Sequence, residues 1–275
     1  MTPAEGGHDD GRPGVDGARD RRMSRVVAWF SRGAASAVMT KLAIARYGDA
    51  LTIACIGLDT EHPDSARFAD DCEAWFGRPV TYLRSDTYAD TWNVWESKRY
   101  LVGHNGAPCT TELKRRVRYR WQRTDDLHLF GYCAGEQDRL DHMRETDPGL
   151  DLAAPLIDAM LTKEDCLGEI VRAGIELPAM YRLGYENNNC IGCVKGGMGY
   201  WNAVRVDFPA VFDRMARLER EIGHAVLSEE IPGEGRKKRP VWLDELDPDR
   251  GDFTRDQPAN CSLLCESPAI REALA

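Results

Sequence analysis

RVVAWFSRGAASAVMTKLAIARYG, residues 25–48, is the stretch that decides the fold. Arg25 to Phe30 is a short apolar run with β-branched and aromatic side chains, which reads as a buried strand. After a turn of Ser, Gly and Ala, the segment Ala37 to Ala45 has helical character and stops near Gly48. Strand, small-residue loop and helix follow one another, and the alternation continues downstream. Leu51 to Leu58 is a second apolar strand. Asp64 is placed to cap a helix in which Phe68, Cys72, Trp75 and Phe76 recur at helical spacing; Gly77 ends it and Val80 to Leu83 supplies a third strand. Such units predict an α/β fold: a doubly wound, mostly parallel sheet with helices on both faces.

Further along, Leu113, Val117 and Trp121 fall at i, i+4 and i+8, predicting a helix from Thr110 to about Gln122. Lys114, Arg115, Arg116, Arg118 and Arg120 take its other faces, as a solvated basic surface or an anion contact. Leu127 to Tyr132 returns to the sheet. Thr162 and Asp165 have capping-box spacing ahead of Cys166 to Ala173, with Gly174 as the stop. Pro209 opens a last helix through Phe212, Met215, Leu218 and Ile222. The chain thus divides into three parts. Residues 1–22 are too poor in large apolar side chains to offset the entropy of ordering, so a disordered tail is expected. Residues 23–176 form the α/β domain. Residues 177–275 read as an appendage that carries cysteines and charges rather than a second core.

With 275 residues, 43% of them hydrophobic, the chain can bury a full core and is long enough for an enzyme. The absence of a long apolar run and of a signal-peptide core leads us to expect a cytoplasmic protein with no membrane partner. A net charge of -9 argues against wrapping in nucleic acid by bulk electrostatics and favours small anionic ligands. A local basic patch still leaves a nucleic-acid substrate open. Nine cysteines without a signal point to thiol chemistry or metal rather than a disulfide scaffold. The six histidines have no metal-ligand spacing.

Several motifs carry chemistry. Ser31, Arg32, Gly33, Ala34, Ala35 and Ser36 lie beyond the carboxyl end of a strand, where backbone amides at a helix start can approach an anion. They lack the Gly-Lys-Ser/Thr of a Walker loop and the dinucleotide fingerprint, and alone they read equally well as a plain turn. Cys190 and Cys193 are spaced to bind one metal through two sulfurs, in a loop made polar and flexible by Asn187 to Asn189 and Lys195 to Gly197. Cys261 and Cys265 form a later pair. Cys55, Cys72 and Cys166 read as buried core thiols, while Cys133 ends a strand near the proposed site. Trp92, Trp95 and Trp201 read as packing residues ahead of base-stacking platforms. Arg236 to Arg239 is a solvated loop or an anion clamp.

Taken in order, five further segments accompany the loop. They are Leu58-Asp59-Thr60 with Glu61 and Ser65; Pro108-Cys109-Thr110 to Leu113-Lys114; and Gly131-Tyr132 with Glu136 and Arg139. Ala154 to Asp158 with Thr162 to Asp165, and Leu177-Pro178 through Tyr181 to Cys190 and Cys193, complete the set. Over Val26 to Gly199 this order resembles the phosphoadenosine phosphosulfate (PAPS) reductase-like family, within the adenine nucleotide alpha hydrolases and PP-loop ATP pyrophosphatases.

The resemblance implies that Ser31, Gly33 and Ser36 hold phosphate or sulfate oxygens, and that Asp59 lies near ribose and adenine or helps hold Mg2+. It implies Lys114, Glu136 and Arg139 on the anion side, as catalytic candidates. Two departures stand out: Arg32 replaces the usual second glycine, and Ala34 and Ala35 leave out the lysine of many ATP-cleaving members. Arg32 then either adds a cation or projects into solvent. Cys109, Cys190 and Cys193 would ligate a 4Fe-4S cluster, with a fourth ligand from Cys261 or Cys265 or an open iron. The alternative is a structural zinc on Cys190, Cys193, Cys261 and Cys265. The family's C-terminal Glu-Cys-Gly-Leu/Ile-His is missing; Cys261 or Cys265 would have to supply its thiolate. The implied ligands are ATP with Mg2+, or adenylyl sulfate or PAPS. The implied partners are a sulfur donor or a thioredoxin-like reductant and, for thiolation, a nucleic-acid acceptor. A non-catalytic nucleotide sensor or partner subunit with a structural metal is the alternative. Nothing in the sequence sets an oligomeric state.

Overall fold

In the structure, a computed structural model that describes residues 25–103, 106–234 and 237–258, the opening apolar run forms strand β1 (Val26–Trp29). All four of its residues are buried. Val26 and Ala28 pack on one face of the sheet and Val27 and Trp29 on the other, which is why the run shows no polar alternation. The chain continues through α1 (Ala34–Tyr47), β2 (Leu51–Cys55), α2 (Asp64–Phe76), β3 (Val80–Tyr82) and α3 (Thr91–Lys98). It proceeds through α4 (Pro108–Thr110), α5 (Arg116–Trp121), β4 (Leu127–Leu129), α6 (Gln137–Thr146) and β5 (Asp151–Ala153). The five strands lie in the order β3-β2-β1-β4-β5 and every pair is parallel, with Val26 opposite both Leu51 and Leu127.

Helices flank both faces. After α7 (Pro155–Asp158) comes α8 (Lys163–Arg172), which packs with α1 and α2 on one side. On the other side lie Val117 of α5 and Leu140 and Met143 of α6. The helix stops follow the sequence: Gly48 and Gly77 both take positive φ, 51° and 65°. β2 and β4 end earlier than their apolar runs, at Cys55 and Leu129, because the chain beyond them turns into loops.

Three expectations are corrected by packing. Asp64 is not a cap: Pro63 holds that position, and the Asp64 carboxylate pairs with Arg67 at 2.6 Å and accepts from the Ala179 N–H at 2.8 Å. The Arg67 hydrogen bond holds this carboxyl down at about 2. The basic helix turns only part of its charge to solvent: Arg120 is exposed and Arg116 half-exposed. Between α4 and α5 it widens into a π-helical turn, Thr111–Arg115, whose extra residue shifts the phase of the side chains and leaves Lys114, Arg115 and Arg118 buried. Arg118 is fully buried and ion-paired to Asp147 at 3.1 Å.

The third correction concerns the chain after Leu177. It forms α9 (Ala179–Arg182), α10 (Met198–Asp207), α11 (Pro209–Ile222) and a hairpin, β6 (Leu227–Glu230) with β7 (Lys238–Val241). Met180, Trp201, Phe212, Met215, Leu218 and Leu243 build an apolar cluster with Trp92, Trp95 and Leu101 from earlier in the chain. The three tryptophans are core residues there. Of the basic run, Arg236 lies outside the described residues; Lys237 pairs with Glu234 at 3.0 Å and Arg239 with Glu229 at 2.6 Å. Among the described residues no helix is long and apolar enough to cross a membrane.

Glu219 staples this second core and makes it pH-sensitive. Its carboxyl is fully buried and accepts from the Val226 N–H at 3.1 Å and from the Leu243 N–H. Burial raises it to about 7, with Asp244 adding to the rise and the two amides and Arg220 opposing. The folded state therefore holds the proton more tightly than the unfolded one, and stability falls as pH rises from the ordinary carboxyl value to about 7. We expect a loss of roughly 3 kcal/mol across that window, read as a falling thermal midpoint. Glu219→Gln should be less stable at low pH and flat across it, because its amide faces a second N–H donor.

Candidate functional site

Where the loops after β1 and β4 part, the sheet opens into a cavity of about 460 Å3. The loop after β1 forms one wall. Ser36 Oγ accepts from the Ser31 N–H at 3.0 Å and lies 3.1 Å from the Ser31 hydroxyl, while donating to the Gly33 carbonyl at 2.9 Å. These bonds close the turn and set Ser31, Gly33, Ala35 and Ser36 into the lining. Ala34 contributes its backbone: its N–H donates to the Tyr181 hydroxyl at 3.4 Å. Burial pushes that hydroxyl up to about 12, so it stays protonated.

Arg32 follows neither sequence alternative. Its φ is 59°, the left-handed conformation that suits the glycine it replaces and that costs a non-glycine residue about 1 kcal/mol. Its guanidinium is absent from the lining and only 14% exposed; it pairs with Glu61 at 3.4 Å and lies 5.7 Å from the Tyr82 ring centroid. It also presses on Gly57, where a Cβ would come within 2.2 Å of it. Arg32→Gly should relieve the backbone and weaken the hold on Glu61. We expect stability to fall by roughly 1–2 kcal/mol and ligand affinity to change less than about threefold, in thermal melts and calorimetry. A phosphate-clamping arginine would give the reverse.

The opposite wall comes from β4. Gly131 lies so close to the first turn of α1 that a Cβ on it would sit 2.9 Å from the Ser36 Cα and N. Glu136 accepts from the Cys133 N–H at 2.8 Å and pairs with Arg139, whose guanidinium lies 4.9 Å from the Tyr132 ring centroid. Cys133, Glu136 and Arg139 all line the cavity.

Lys114, carried inward by the π turn, lines both this cavity and a narrow one of about 20 Å3 behind it. Glu61 is the buried carboxyl at the junction: burial raises it above the ordinary carboxylate range, against the pull of Lys114 and then Arg32. Cys109, Cys190 and Cys193 line the narrow cavity with Lys195. The Thr60 hydroxyl donates to Cys190 Sγ at 3.3 Å, and the Ile191 N–H to the Thr60 carbonyl at 2.9 Å, so the loop after β2 holds the cysteine turn. Tyr200 secures its other side, accepting from the Cys193 N–H at 2.9 Å. Among the described residues no group of three or more His, Cys, Asp or Glu side chains is arranged to hold a metal ion. The three thiols suit a thiolate-ligated centre in kind and fall one short of four in number; Cys261 and Cys265 lie outside the described residues.

The segment leading to them is fastened beside the cavity. The Asp256 carboxylate accepts from the Gly199 N–H at 2.6 Å, and the Pro258 carbonyl accepts from the side chains of Asn187 at 3.2 Å and Asn189 at 3.4 Å. Asp59, by contrast, is apart: it is exposed, 3.7 Å from Arg84, and lines a separate cavity of about 180 Å3.

Sequence reasoning assigned no site role to several lining residues: Glu61, Thr162, Lys163, Glu164, Tyr181, Glu186 and the three asparagines. Most stand in or beside the motif segments, where Thr162 also has capping-box spacing and Asn187 to Asn189 read as a polar flank. Asn188 donates to the Arg32 carbonyl at 2.8 Å and to the Ser65 hydroxyl at 3.0 Å, joining its own loop to the loop after β1 and to the start of α2. No protein-family model matches the chain, and a search of curated proteins finds no match.

Proposed function

We propose that the chain is a PAPS reductase-like, adenine-nucleotide-binding enzyme of sulfur metabolism or sulfur transfer, with an adenine nucleotide alpha hydrolase-like fold. One observation carries this reading: Ser31, Gly33, Ser36, Lys114, Glu136 and Arg139, from three separate segments, line one cavity that shares Lys114 with the three-cysteine cavity. The amides at the start of α1 and the Lys114 ammonium stabilise charge developing on phosphate or sulfate oxygens. Arg139 and Lys163 add positive charge, and Tyr181 offers a neutral hydroxyl.

Two reactions fit this scaffold. In one, an acceptor oxygen attacks the α-phosphorus of ATP, pyrophosphate leaves, and a sulfur nucleophile then displaces AMP from the adenylated acceptor. In the other, a cysteine thiolate attacks the sulfonate sulfur of adenylyl sulfate or PAPS, the nucleotide leaves, and a second thiol releases sulfite. Four carboxyls, Glu61, Glu136, Glu164 and Glu186, line the cavity against Lys114, Arg139 and Lys163, which favours a nucleotide carrying Mg2+ and hence the first reaction. Cys109, Cys190 and Cys193 would hold a 4Fe-4S cluster, which when bound supplies an iron able to carry sulfur; on the zinc alternative Cys190 and Cys193 join Cys261 and Cys265.

Calorimetry on reduced, anaerobically purified protein tests the reading. We expect ATP binding that depends on Mg2+, with release of AMP and pyrophosphate when an acceptor is supplied. PAPS binding with sulfite release would select the second reaction, and binding without any product the sensor. Failure to bind either nucleotide ends the proposal. Iron, sulfide and zinc analysis of the same sample is expected to find iron with sulfide; stoichiometric zinc without iron would replace the cluster.

A further inference from the structure

Two thiols that neither reaction uses meet in the cavity wall. Cys133 lies in the loop after β4 and faces the cavity; Cys166 lies in the first turns of α8 and is fully buried. The backbone brings them together: the Ala134 N–H donates to the Leu161 carbonyl at 2.7 Å, and the Cys166 N–H to the Thr162 carbonyl at 3.1 Å. Both side chains belong to one apolar cluster, in which each thiol is the strongest influence on the other.

We propose that Cys133 and Cys166 form a redox modification site, in which a peroxide reaching the cavity converts the pair into a disulfide. The Cys133 thiolate attacks one peroxide oxygen, the O–O bond breaks, and hydroxide leaves to take up a proton as water. Cys133 is then a sulfenic acid. The Cys166 sulfur attacks the Cys133 sulfur, the S–O bond breaks, and the Cys166 proton leaves with the hydroxyl as a second water. Peroxide is the oxidant reduced, and an added dithiol reverses the change.

The two thiols have opposite tendencies. The Cys166 thiol, with help from the Lys163 ammonium, lowers Cys133 below an ordinary thiol against its burial and the charges of Glu136 and Glu164. The same pairing and burial push Cys166 up, so it remains protonated. Cys133 is therefore the attacking thiol and Cys166 the resolving one. The bond would pin the loop bearing Glu136 to the start of α8, which bears Lys163 and Glu164, all in the cavity lining. The inference rests on the cavity and the thiol contact and does not require that the ligand be a nucleotide.

Full-length reduced protein, treated with hydrogen peroxide, alkylated and digested, is examined by mass spectrometry. The expected product is a peptide pair joined through Cys133 and Cys166, lighter by two hydrogens and split by dithiothreitol. In Cys166→Ala, oxidation should stop at a Cys133 sulfenic acid trapped by dimedone; in Cys133→Ser, Cys166 should stay unoxidised. Recovery of both thiols alkylated after Cys109, Cys190 and Cys193 have been oxidised would overturn the proposal, as would absence of the dimedone adduct in Cys166→Ala. The cross-link forming in protein that binds neither ATP nor PAPS would uphold this site while the nucleotide reading fell.

Discussion

Lys114→Met is expected to weaken ATP binding on the order of a hundredfold and to destabilise the fold at neutral pH. The ammonium is buried on the π turn, lines both cavities, and is the charge that most strongly opposes the effect of burial on the Glu61 carboxyl. Removing it leaves Glu61 facing Arg32 alone, 3.4 Å away, in a site whose burial already favours the neutral acid. Without Lys114 opposing its burial, Glu61 should hold its proton to a higher pH than in the parent, and the variant should gain stability as pH falls. Lys114→Met combined with Glu61→Gln separates the two roles. Thermal stability should return only in part, because Glu61 no longer carries a buried charge without Lys114 while Arg32 loses its carboxylate partner, and ATP binding stays lost in calorimetry. Recovery of binding in the double variant would mean that Lys114 acts only through Glu61.

The second large effect is expected from Gly131→Val. The obstruction a Cβ meets there is backbone, the Ser36 Cα and N at 2.9 Å and the Ala35 carbonyl carbon at 3.1 Å, so no flexible side chain can give way. Either β4 or the start of α1 must move. Overpacking of this kind costs about 1–3 kcal/mol, which lowers the thermal midpoint by several degrees in a chain this size. Because the displaced residues are the closed Ser31–Ser36 turn, ATP binding should fall with it. Gly149→Ala, where a Cβ meets nothing within 4 Å, is the control and should change neither measurement.

Arg25 to Gly48 announced its strand, turn and helix because each is a local property: an apolar run buried on both faces, small residues, a helical stretch, a glycine stop. The parallel sheet followed from repetition of that unit, and the order of the motifs picked out Ser31, Ser36, Lys114, Glu136 and Arg139 before any coordinates placed them beside one cavity. Local pattern could not show where Arg32 points, since its partner Glu61 is 29 residues away and the Gly57 beneath it belongs to another strand's loop. Nor could it show that Lys114, Arg115 and Arg118 are buried, because an assumed α-helical period misphases a helix that contains a π turn. The second core escaped for the same reason, being assembled from Trp92 to Leu101 and residues after Met180 that share no periodicity. The sequence by itself determined the parallel α/β frame and the loop at its centre, because backbone propensity and burial pattern act over a few residues. Only the tertiary structure decided which charges face the cavity, which hold each other, and which thiols meet, because those choices depend on contacts between segments far apart in the chain.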